Sequence, residues 1–557
     1  MSNGFRGGEF LVRSVGTTMS PESFTEEQRA LAATAHRFAR EEVLPHAARI
    51  EGKDFAFLRE LLLKAGEIGL LGVDLPEQYG GLALDKTTSL IVASANSVLG
   101  SWSVTFGAQT SIGTMPIAYF GSDEQKAHWL PKLATGEWVS AYALTEPGSG
   151  SDALGARTRA SLSADGLSWV LEGTKQFITN AGFADVFIVF AKVDGEKFSA
   201  FIVPRTTPGL TVGPEEHKLG LRGSSTCQLL LEGATIPKGN LLGEVGKGAK
   251  IAFNILNIGR LKLGAGVLGG MRMGLENTLA YCSARKQFGK PLTEFGLTRE
   301  KFARMVMNLY VVESMAFRTS GYIDELIATG SGSLKAVEEF SIEASIMKVL
   351  GSEMSNQLID DALQLHGGYG YVADYPVERG YRDVRINRIF EGTNEINRML
   401  VTGMLLKRAF KGELSLFGER PLVSDAGSPA DQLKQLALLC LKSAGEAFGM
   451  ELEHHQVVLA SIADIVIDAY ALDSVVARTA QRGAPWRSAA VDLFTNLAHQ
   501  RSLAAAQRVL CIALKGEALD QALAKAGALH VFKPFDAEAL HQTIAAAVES
   551  ARGYPTT

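Results

Sequence analysis

The sequence predicts an α+β protein that is mostly α-helical, because long stretches of helical hydrophobic periodicity flank one shorter stretch of β-strand character. At 557 residues the chain exceeds the size of a single hydrophobic core, so several domains are expected. The predicted order is a flexible N-terminal tail (1–19), a helical domain (20–139), a β domain (140–248), a helical bundle (249–410), a linker (411–430) and a C-terminal helical domain (431–557).

The first helical domain is predicted to begin just after the tail. Thr25-Glu26-Glu27-Gln28 has the form of a capping box, in which the threonine and glutamine side chains accept hydrogen bonds from each other's backbone N–H groups. Leu31, Ala35 and Phe38 follow at helical spacing. Helical patterns then continue to about residue 134, with one interruption at the turn-rich segment PEQYGGLALD.

The β domain is predicted from four short runs rich in β-branched and aromatic residues: SWVLEG, DVFIVFAKV, FSAFIVP and CQLLLEG. From about residue 249 the long helical patterns return and lack proline, which favours antiparallel helices packed as a bundle. The segment KGELSLFGERPLVSDAGSP has the composition of a linker, and Ala/Leu-rich helical patterns follow it.

Composition excludes several classes of function. The net charge of −5 gives no support for a nucleic-acid partner, which requires a concentrated basic face. The four cysteines are widely scattered, so neither a disulfide framework nor a zinc site is expected, and a reducing compartment fits best. No signal peptide and no uninterrupted apolar run of membrane-spanning length are found, so we expect a cytoplasmic protein over one with an organelle transit segment.

Two segments of the predicted β domain carry candidate ligand-binding residues. In ALTEPGSGSD (143–152), small residues let backbone N–H groups approach a phosphate or pyrophosphate, although an ordinary surface loop explains the same composition. In FITNAG (177–182), Phe177 could pack on a flat heterocycle while Thr179 offers a hydroxyl. From local sequence alone, core packing of Phe177 followed by a turn at Asn180 is the preferred interpretation.

Two further segments, ARKQFGKPL (284–292) and QLHGGYGYV (364–372), each end a long predicted helix with a glycine-containing turn. The arginine could pair with a phosphate or with a neighbouring carboxylate. Gly367-Gly368 permit close backbone approach. His366 is interpreted as structural or exposed, because no second metal ligand lies at helical spacing.

The segment IFEGTNEINRML (389–400) contains a carboxylate just before a predicted helix. Thr393 and Asn394 are candidate N-caps, and Glu395 in the first turn suits the helix dipole. Glu391 then lies in a loop beside the apolar Ile389 and Phe390. An apolar, water-poor site raises the proton affinity of a carboxylate, which suits a general base, whereas an ion pair with Arg385 or Arg388 is the alternative role.

Taken together and in this order, ALTEPGSGSD, FITN, ARKQFGKPL, QLHGGYGY and FEGTNEI resemble the signature segments of the acyl-CoA dehydrogenase family, over residues 20 to about 410. The extra helical region and the stretches beginning at Ser111 and Glu300 are most similar to the very-long-chain branch. This resemblance implies the family's fold, with a middle β-barrel or sandwich, and an FAD enzyme that oxidises the Cα–Cβ bond of a fatty acyl-CoA to a trans-2-enoyl-CoA in β-oxidation.

The resemblance also assigns roles to residues. Glu391 matches the catalytic base that removes the α-proton while the β-hydrogen leaves as hydride to flavin N5. The family's other location for the base precedes the arginine matched by Arg260, and there this chain has Gly259. The residues that match FAD contacts are Tyr142, Leu144, Thr145, Ser151, Phe177, Thr179, Arg285, Gln287, Gln364, Gly367, Gly368, Thr393 and Glu395. The residues that match substrate contacts are Ser151, Arg260, Phe390 and Gly392.

Further implications concern substrate and partners. Small residues in LGSWSVTFGAQT (99–110) favour a deep acyl cavity and long-chain substrates, although Trp102 could close it. The cross-subunit FAD contacts imply a homodimer, and the family implies electron-transfer flavoprotein as electron acceptor. The long-chain branch implies peripheral membrane contact through the C-terminal domain, on an inner membrane or, in a eukaryote, in the mitochondrial matrix. Buried helix packing explains the Ala/Leu-rich composition of this domain equally well. An acyl-CoA oxidase and a dehydrogenase-derived assembly or scaffold protein are the alternative functions.

Overall fold

The computed structural model describes residues 5–13, 16–416, 427–532 and 534–556. Residues 1–4 and 14–15 of the predicted tail and residues 417–426 of the predicted linker lie outside the described residues. The chain divides into two compact units. Unit 1 comprises Met1–Phe24, Gly270–Tyr381 and Asn387–Thr557, and unit 2 comprises Thr25–Gly269 and Arg382–Ile386.

Unit 2 begins with helices and continues into a sheet. The predicted capping box at Thr25 is confirmed, since the Thr25 hydroxyl accepts from Gln28 N and Gln28 Oε1 accepts from Thr25 N. Helices α1 to α7 span Glu26–Phe38, Ala47–Glu51, Phe55–Glu67, Lys86–Ala95, Gly100–Ala108, Met115–Phe120 and Asp123–Thr135.

The β domain forms one connected sheet of eight strands in the order β6-β7-β3-β2-β4-β5-β8, with β1 paired to β4. β1 and β2 run parallel to β4, and the other pairs are antiparallel. Strand β4 is almost wholly buried, as its continuous apolar sequence requires. Strands β1 to β8 span Ser140–Ala143, Arg159–Leu162, Ser168–Thr179, Val186–Val193, Lys197–Pro204, Leu210–Glu215, Thr226–Pro237 and Leu241–Leu242.

The remaining elements are helical apart from a short hairpin. Helix α8 (Gly248–Ala284) contributes residues to both units, and the hairpin β9 (Lys286–Gln287) and β10 (Lys290–Pro291) follows it. The helices α9 to α13 are Gly296–Ala328, Ser333–Glu339, Ser341–His366, Pro376–Val384 and Asn394–Phe410. The C-terminal helices α14 to α18 are Pro429–Phe448, Gln456–Gln481, Pro485–Ala513, Gly516–Ala528 and Ala537–Ala551.

The C-terminal helices share one compact unit with the bundle helices α9, α11 and α13. A buried ion pair joins the two sets, since Arg318 of α9 donates to Asp473 of α15 (2.8 Å). Lys434 of α14 donates to the other oxygen of the same carboxylate (2.8 Å). Removing one partner of either pair would leave a buried charge uncompensated, which is strongly destabilising.

The N-terminal segment differs from the flexible tail that we expected. Residues Glu9–Leu11 form a 3₁₀ turn in which Phe10 and Leu11 are buried, and the Phe10 ring lies edge-on to Tyr470, with centroids 4.7 Å apart. The Gly8 N–H donates to Glu343 Oε1 at 2.7 Å. The segment is therefore part of the core of unit 1.

Helix α8 is long and apolar enough to cross a membrane by length and composition. However, 67% of its most apolar window is buried inside the protein. A helix of this kind is typical of the core of a folded domain.

Candidate active site

The loop before α13 holds Glu391 in an unusual backbone conformation. Glu391 has φ 58° and Gly392 has φ 80°, so two consecutive residues lie in the left-handed region. For a residue with a Cβ this conformation costs about 1–2 kcal/mol. Such strain persists only where surrounding contacts impose it, and it concentrates at functional sites.

Buried side chains of α11 and α13 impose this conformation. Asn397 Nδ2 donates to the carbonyl oxygens of Gly392 (2.9 Å) and Thr393 (3.0 Å) and reaches that of Glu391 at 3.4 Å. The Lys348 ammonium donates to the Gly392 carbonyl and to Asn394 Oδ1, both at 2.7 Å. Lys348 and Asn397 are fully buried, so the groups that hold the loop are not in contact with water.

The start of α13 agrees with the prediction. Thr393 is the N-cap, and its hydroxyl accepts from Ile396 N at 3.2 Å. Asn394 is the first helical residue and points inward, and Glu395 lies exposed in the first turn, where the backbone N–H groups lower its pKa.

The surroundings of Glu391 are less apolar than expected. Ile389 is 48% exposed, and Phe390 and Glu391 are only half-buried. The predicted water-poor pocket is therefore not formed by these two neighbours alone.

In unit 2 the segment 143–152 forms a loop anchored by a buried carboxylate. Glu146 accepts from Arg157 N (2.6 Å), from Thr158 N (3.0 Å) and from the Lys175 ammonium (2.7 Å). Burial lowers the pKa of Lys175 to about 8 even though the Glu146 carboxylate lies beside it. Thr145 joins this loop to β3, because its carbonyl accepts from Gln176 N at 2.8 Å. Tyr142 and Leu144 are buried, and Ser151 is exposed.

Phe177 is not a core residue, so the local interpretation of it was wrong. The pairing of β3 with β7 is irregular between Lys175 and Ile178, and Phe177 lies there with φ 59° and 62% of its surface exposed. The ladder resumes at Thr179, which pairs with Thr226. The irregularity thus presents an aromatic ring to solvent between the buried residues Gln176 and Ile178.

Arg260, on the part of α8 that belongs to unit 2, is buried, and its Nη1 donates to Asn257 Oδ1 at 2.9 Å.

In unit 1 the segments 284–292 and 364–372 come together in one cleft of about 520 Å³. Aromatic rings line part of it: Tyr281 stacks on His366 with centroids 4.4 Å apart, and the Arg285 guanidinium lies 5.6 Å from the centre of the Tyr369 ring. His366 is buried, which lowers its pKa, and it is structural, as expected. The five predicted cofactor residues that line this cleft are Arg285, Gln287, Gln364, Gly367 and Gly368.

Family comparisons decide what these segments belong to. Residues 25–137, 141–234 and 246–406 match the models of the N-terminal, middle and C-terminal domains of acyl-CoA dehydrogenases. The chain belongs to the acyl-CoA dehydrogenase family. Residues 432–526 match a second model described as an acyl-CoA dehydrogenase C-terminal domain, so the extra helical region is itself a family domain.

Individual relatives support the same family assignment. A probable acyl-CoA dehydrogenase of Bacillus subtilis is 47% identical over 501 residues, covering 85% of this chain and 84% of that protein. The human very-long-chain enzyme is 37% identical (74% of this chain, 69% of that protein), and the human short-chain enzyme is 38% identical (71% and 94%). A solved acyl-CoA dehydrogenase from Bacillus anthracis complexed with FAD is 42% identical, with a TM-score of 0.95 over 99% of this chain and 100% of that one.

As an acyl-CoA dehydrogenase family member, the chain is an FAD-dependent oxidoreductase that acts on the CH–CH bond of an acyl-CoA. Its own residues fit this cofactor. The cleft of unit 1 offers a guanidinium, amides and aromatic rings, and β3 of unit 2 offers an exposed aromatic ring. Apart from the adjoining residues, no heavy atom of the described part of the chain lies within 4 Å of where a Cβ would stand on Gly148, Gly150, Gly367 or Gly368. A ligand can therefore approach the backbone closely at both places.

Sequence reasoning missed the residues that hold the Glu391 loop. Lys348 lies in the helical run SIMKVLG, and a lysine surrounded by apolar residues on a helix was the available signal. Asn397 occurs one helical turn after Thr393, where its side chain can reach back to the loop carbonyls.

Proposed function

We propose that the protein oxidises the Cα–Cβ bond of a long-chain fatty acyl-CoA to a trans-2-enoyl-CoA in β-oxidation, with Glu391 as the base that removes the α-proton. The observation that carries the proposal is the backbone of Glu391, held in a left-handed turn by Asn397 and Lys348. A base fixed in position lowers the barrier to proton removal, because the entropy of orienting it has already been lost.

The reaction removes two hydrogens from neighbouring carbons. The Glu391 carboxylate takes the α-hydrogen as a proton, and the β-hydrogen leaves with its electron pair as the Cα=Cβ bond forms. Bound FAD supplies the acceptor for that hydride. Glu391 precedes α13, and its backbone N–H is proposed as a donor to the thioester oxygen.

The cofactor contacts are proposed from residues at three places. In unit 2, Tyr142, Leu144, Thr145, Ser151, Phe177 and Thr179 would hold FAD. In unit 1, the cleft residues Arg285, Gln287, Gln364, Gly367 and Gly368 would contact it, with Thr393 and Glu395 at the start of α13. Ser151, Arg260, Phe390 and Gly392 would contact the acyl-CoA.

The preference for long chains rests on helix α5. Trp102 is fully buried between Phe38 and Phe106, and its indole N–H donates to Asn96 at 3.1 Å, so the ring is committed to the core and does not act as a movable stop. A Cβ on Gly107 would meet no heavy atom of the described residues within 4 Å. This space beside α5 suits the distal part of an acyl chain.

Exposed apolar side chains support proposals about the homodimer and about membrane contact. Phe288, next to the cleft residue Gln287, is 93% exposed, and Tyr371, next to the cleft residue Val372, is 88% exposed. Exposed aromatic rings at the cleft favour a homodimer that covers them. Met450, 86% exposed between α14 and α15, supports peripheral membrane contact of a cytoplasmic enzyme, or of a matrix enzyme in a eukaryote. Electron-transfer flavoprotein is the proposed electron acceptor.

The test is anaerobic mixing of the purified holoenzyme with acyl-CoAs of short, medium and long chain while the flavin absorbance is followed. We expect rapid bleaching that is fastest with long chains and is lost in Glu391→Gln. Bleaching of Glu391→Gln at the wild-type rate would overturn the assignment of the base. Reoxidation by oxygen as fast as by electron-transfer flavoprotein would instead favour an acyl-CoA oxidase, and absence of any bleaching would favour a scaffold protein.

A further inference from the structure

The C-terminal helical region makes a polar contact with the helix that carries the Glu391 loop. Arg398, one turn into α13, donates through Nε to Asp464 Oδ1 of α15 at 2.7 Å. A second, buried contact lies nearby, where the Thr402 hydroxyl donates to the Leu459 carbonyl at 2.9 Å. Helix α13 is therefore attached to α15 at two points along one face.

The Arg398 guanidinium also connects α13 to α11. Its Nη1 and Nη2 donate to the two oxygens of Glu353 at 2.8 and 3.0 Å. This bidentate arrangement fixes the orientation of the guanidinium relative to the carboxylate. Burial raises the pKa of Glu353, but the Arg398 hydrogen bonds and charge outweigh it, so the net pKa is below the usual range and Glu353 stays ionised at neutral pH. The Glu353 carboxylate and the Asp464 carboxylate thus hold one arginine from two helices.

From Glu353 the contacts lead to the loop. Glu353 Oε1 accepts from Asn394 Nδ2 at 3.0 Å, and Asn394 Oδ1 accepts from the Lys348 ammonium at 2.7 Å. The same ammonium donates to the Gly392 carbonyl. Asn394 and Lys348 are buried, so a displacement of Arg398 is passed on through groups that water does not replace.

We propose that Arg398, Asp464 and Lys348 are positioning residues for Glu391, and that the C-terminal domain therefore takes part in α-proton removal by bracing the catalytic loop through Asp464. The proposal deepens the function proposed above and rests on Glu391 being the base. Helix α15 determines where Arg398 lies, and Arg398 determines where Glu353 and Asn394 lie. Lys348 and Asn397 then both hold the Gly392 carbonyl within the left-handed turn.

Asp464→Asn in the holoenzyme is the first test, because its carboxylate is at the surface end of the chain of contacts and the variant should fold. We expect the limiting rate of anaerobic flavin bleaching to fall by roughly tenfold, since small misplacements of a reacting group have large effects on rate. The FAD content and the substrate concentration for half-maximal rate should stay unchanged. The primary isotope effect with α-deuterated acyl-CoA should rise, because proton removal alone becomes slower.

Lys348→Met should lower the same rate further, and Lys348→Arg should restore part of it. Arg398→Lys combined with Asp464→Asn should lower the rate by less than the product of the two single effects, since both act through one contact. Glu446→Gln, which removes an exposed carboxylate of the C-terminal region paired with Lys442 at 3.9 Å, is the matched control and should leave rate and isotope effect at wild-type values.

The outcomes separate the two proposals. If Glu391→Gln bleaches as fast as wild type, the proposed base is wrong and the positioning role falls with it. If Glu391→Gln is inactive while Asp464→Asn keeps the wild-type rate and isotope effect, only the bracing role is overturned. A slower Asp464→Asn with an unchanged isotope effect would also overturn it, because a general loss of structure does not act selectively on proton removal.

Discussion

Arg478 of α15 donates to both carboxylate oxygens of Glu22, at 2.7 and 3.0 Å, and so joins the N-terminal segment to the C-terminal region. Arg478 also pairs with the buried Glu313 at 2.8 Å. Burial alone would raise the pKa of Glu22, but the Arg478 hydrogen bonds and charge lower it to about 2.

This pair predicts a loss of stability in acid. A carboxyl whose pKa is lower in the folded state stabilises the protein above its unfolded pKa of 4.5, and this contribution is lost as the pH falls from about 4.5 towards 2. Glu22→Gln removes the charge that Arg478 contacts and should lower the free energy of unfolding at pH 7 by about 1–3 kcal/mol. The loss is limited because Arg478 keeps Glu313 as a partner. Urea unfolding at several pH values measures this, and equal stability of variant and wild type at pH 7 would contradict it.

Glu343 predicts the opposite dependence on pH. Glu343 is buried, and burial raises its pKa to about 7, even though the hydrogen bond that it accepts from the Gly8 N–H lowers the pKa. The folded state then binds a proton more tightly than the unfolded state, so stability should decrease as the pH rises from about 4.5 to 7. Glu343→Gln keeps the acceptor for Gly8 and should be more stable than wild type by roughly 2–3 kcal/mol at pH 8, converging near pH 4.5. Thermal unfolding across this range is the measurement, and the exposed Glu338→Gln, which should show no such pH-dependent gain, is the control.

The space at Gly107 predicts a change in chain-length preference. Gly107→Ala should raise stability by up to about 1 kcal/mol, because glycine is a poor helix former and a Cβ there meets no neighbour among the described residues. Gly107→Leu should lower kcat/KM for long-chain acyl-CoAs by roughly tenfold or more while short chains react as before. A parallel drop for all chain lengths would show that the acyl chain does not pass this position.

The cleft of unit 1 predicts a dependence of FAD binding on Gly368. Gly368→Leu should place a side chain in the open space beside the glycine and lower the FAD content of the purified protein several-fold. Gly403→Leu, at an exposed helical glycine that also has open space around it, should retain full FAD content. Flavin absorbance relative to protein absorbance gives the ratio, and equal loss in both variants would rule out a site-specific effect.

Local sequence rules identified what depends on near neighbours. The caps at Thr25 and Thr393 were predicted because each N-cap bonds a residue three positions away. The long helices were predicted from periodicity for the same reason. The resemblance to a family, carried by five short segments together, then assigned Glu391 a role that its own neighbours left open.

Features that depend on distant partners were missed. The conformation of Phe177 follows from the irregular pairing of β3 with β7, which no local pattern encodes. Lys348 bonds groups 44 and 46 residues further along the chain, so its function was hidden within an ordinary helix. The N-terminal segment was taken as flexible because Gly8 finds its acceptor 335 residues away.

The Glu22–Arg478 pair also constrains when the protein can be completed during synthesis. Its partners are 456 residues apart, so Glu22 cannot pair with Arg478 until α15 has left the ribosome. Helices α1 to α7 and the sheet can form earlier, because their compact unit consists of residues 25–269 apart from the short segment Arg382–Ile386. The Phe10 ring likewise packs on Tyr470 of α15, so a chain truncated before α15 would leave Phe10 without this contact.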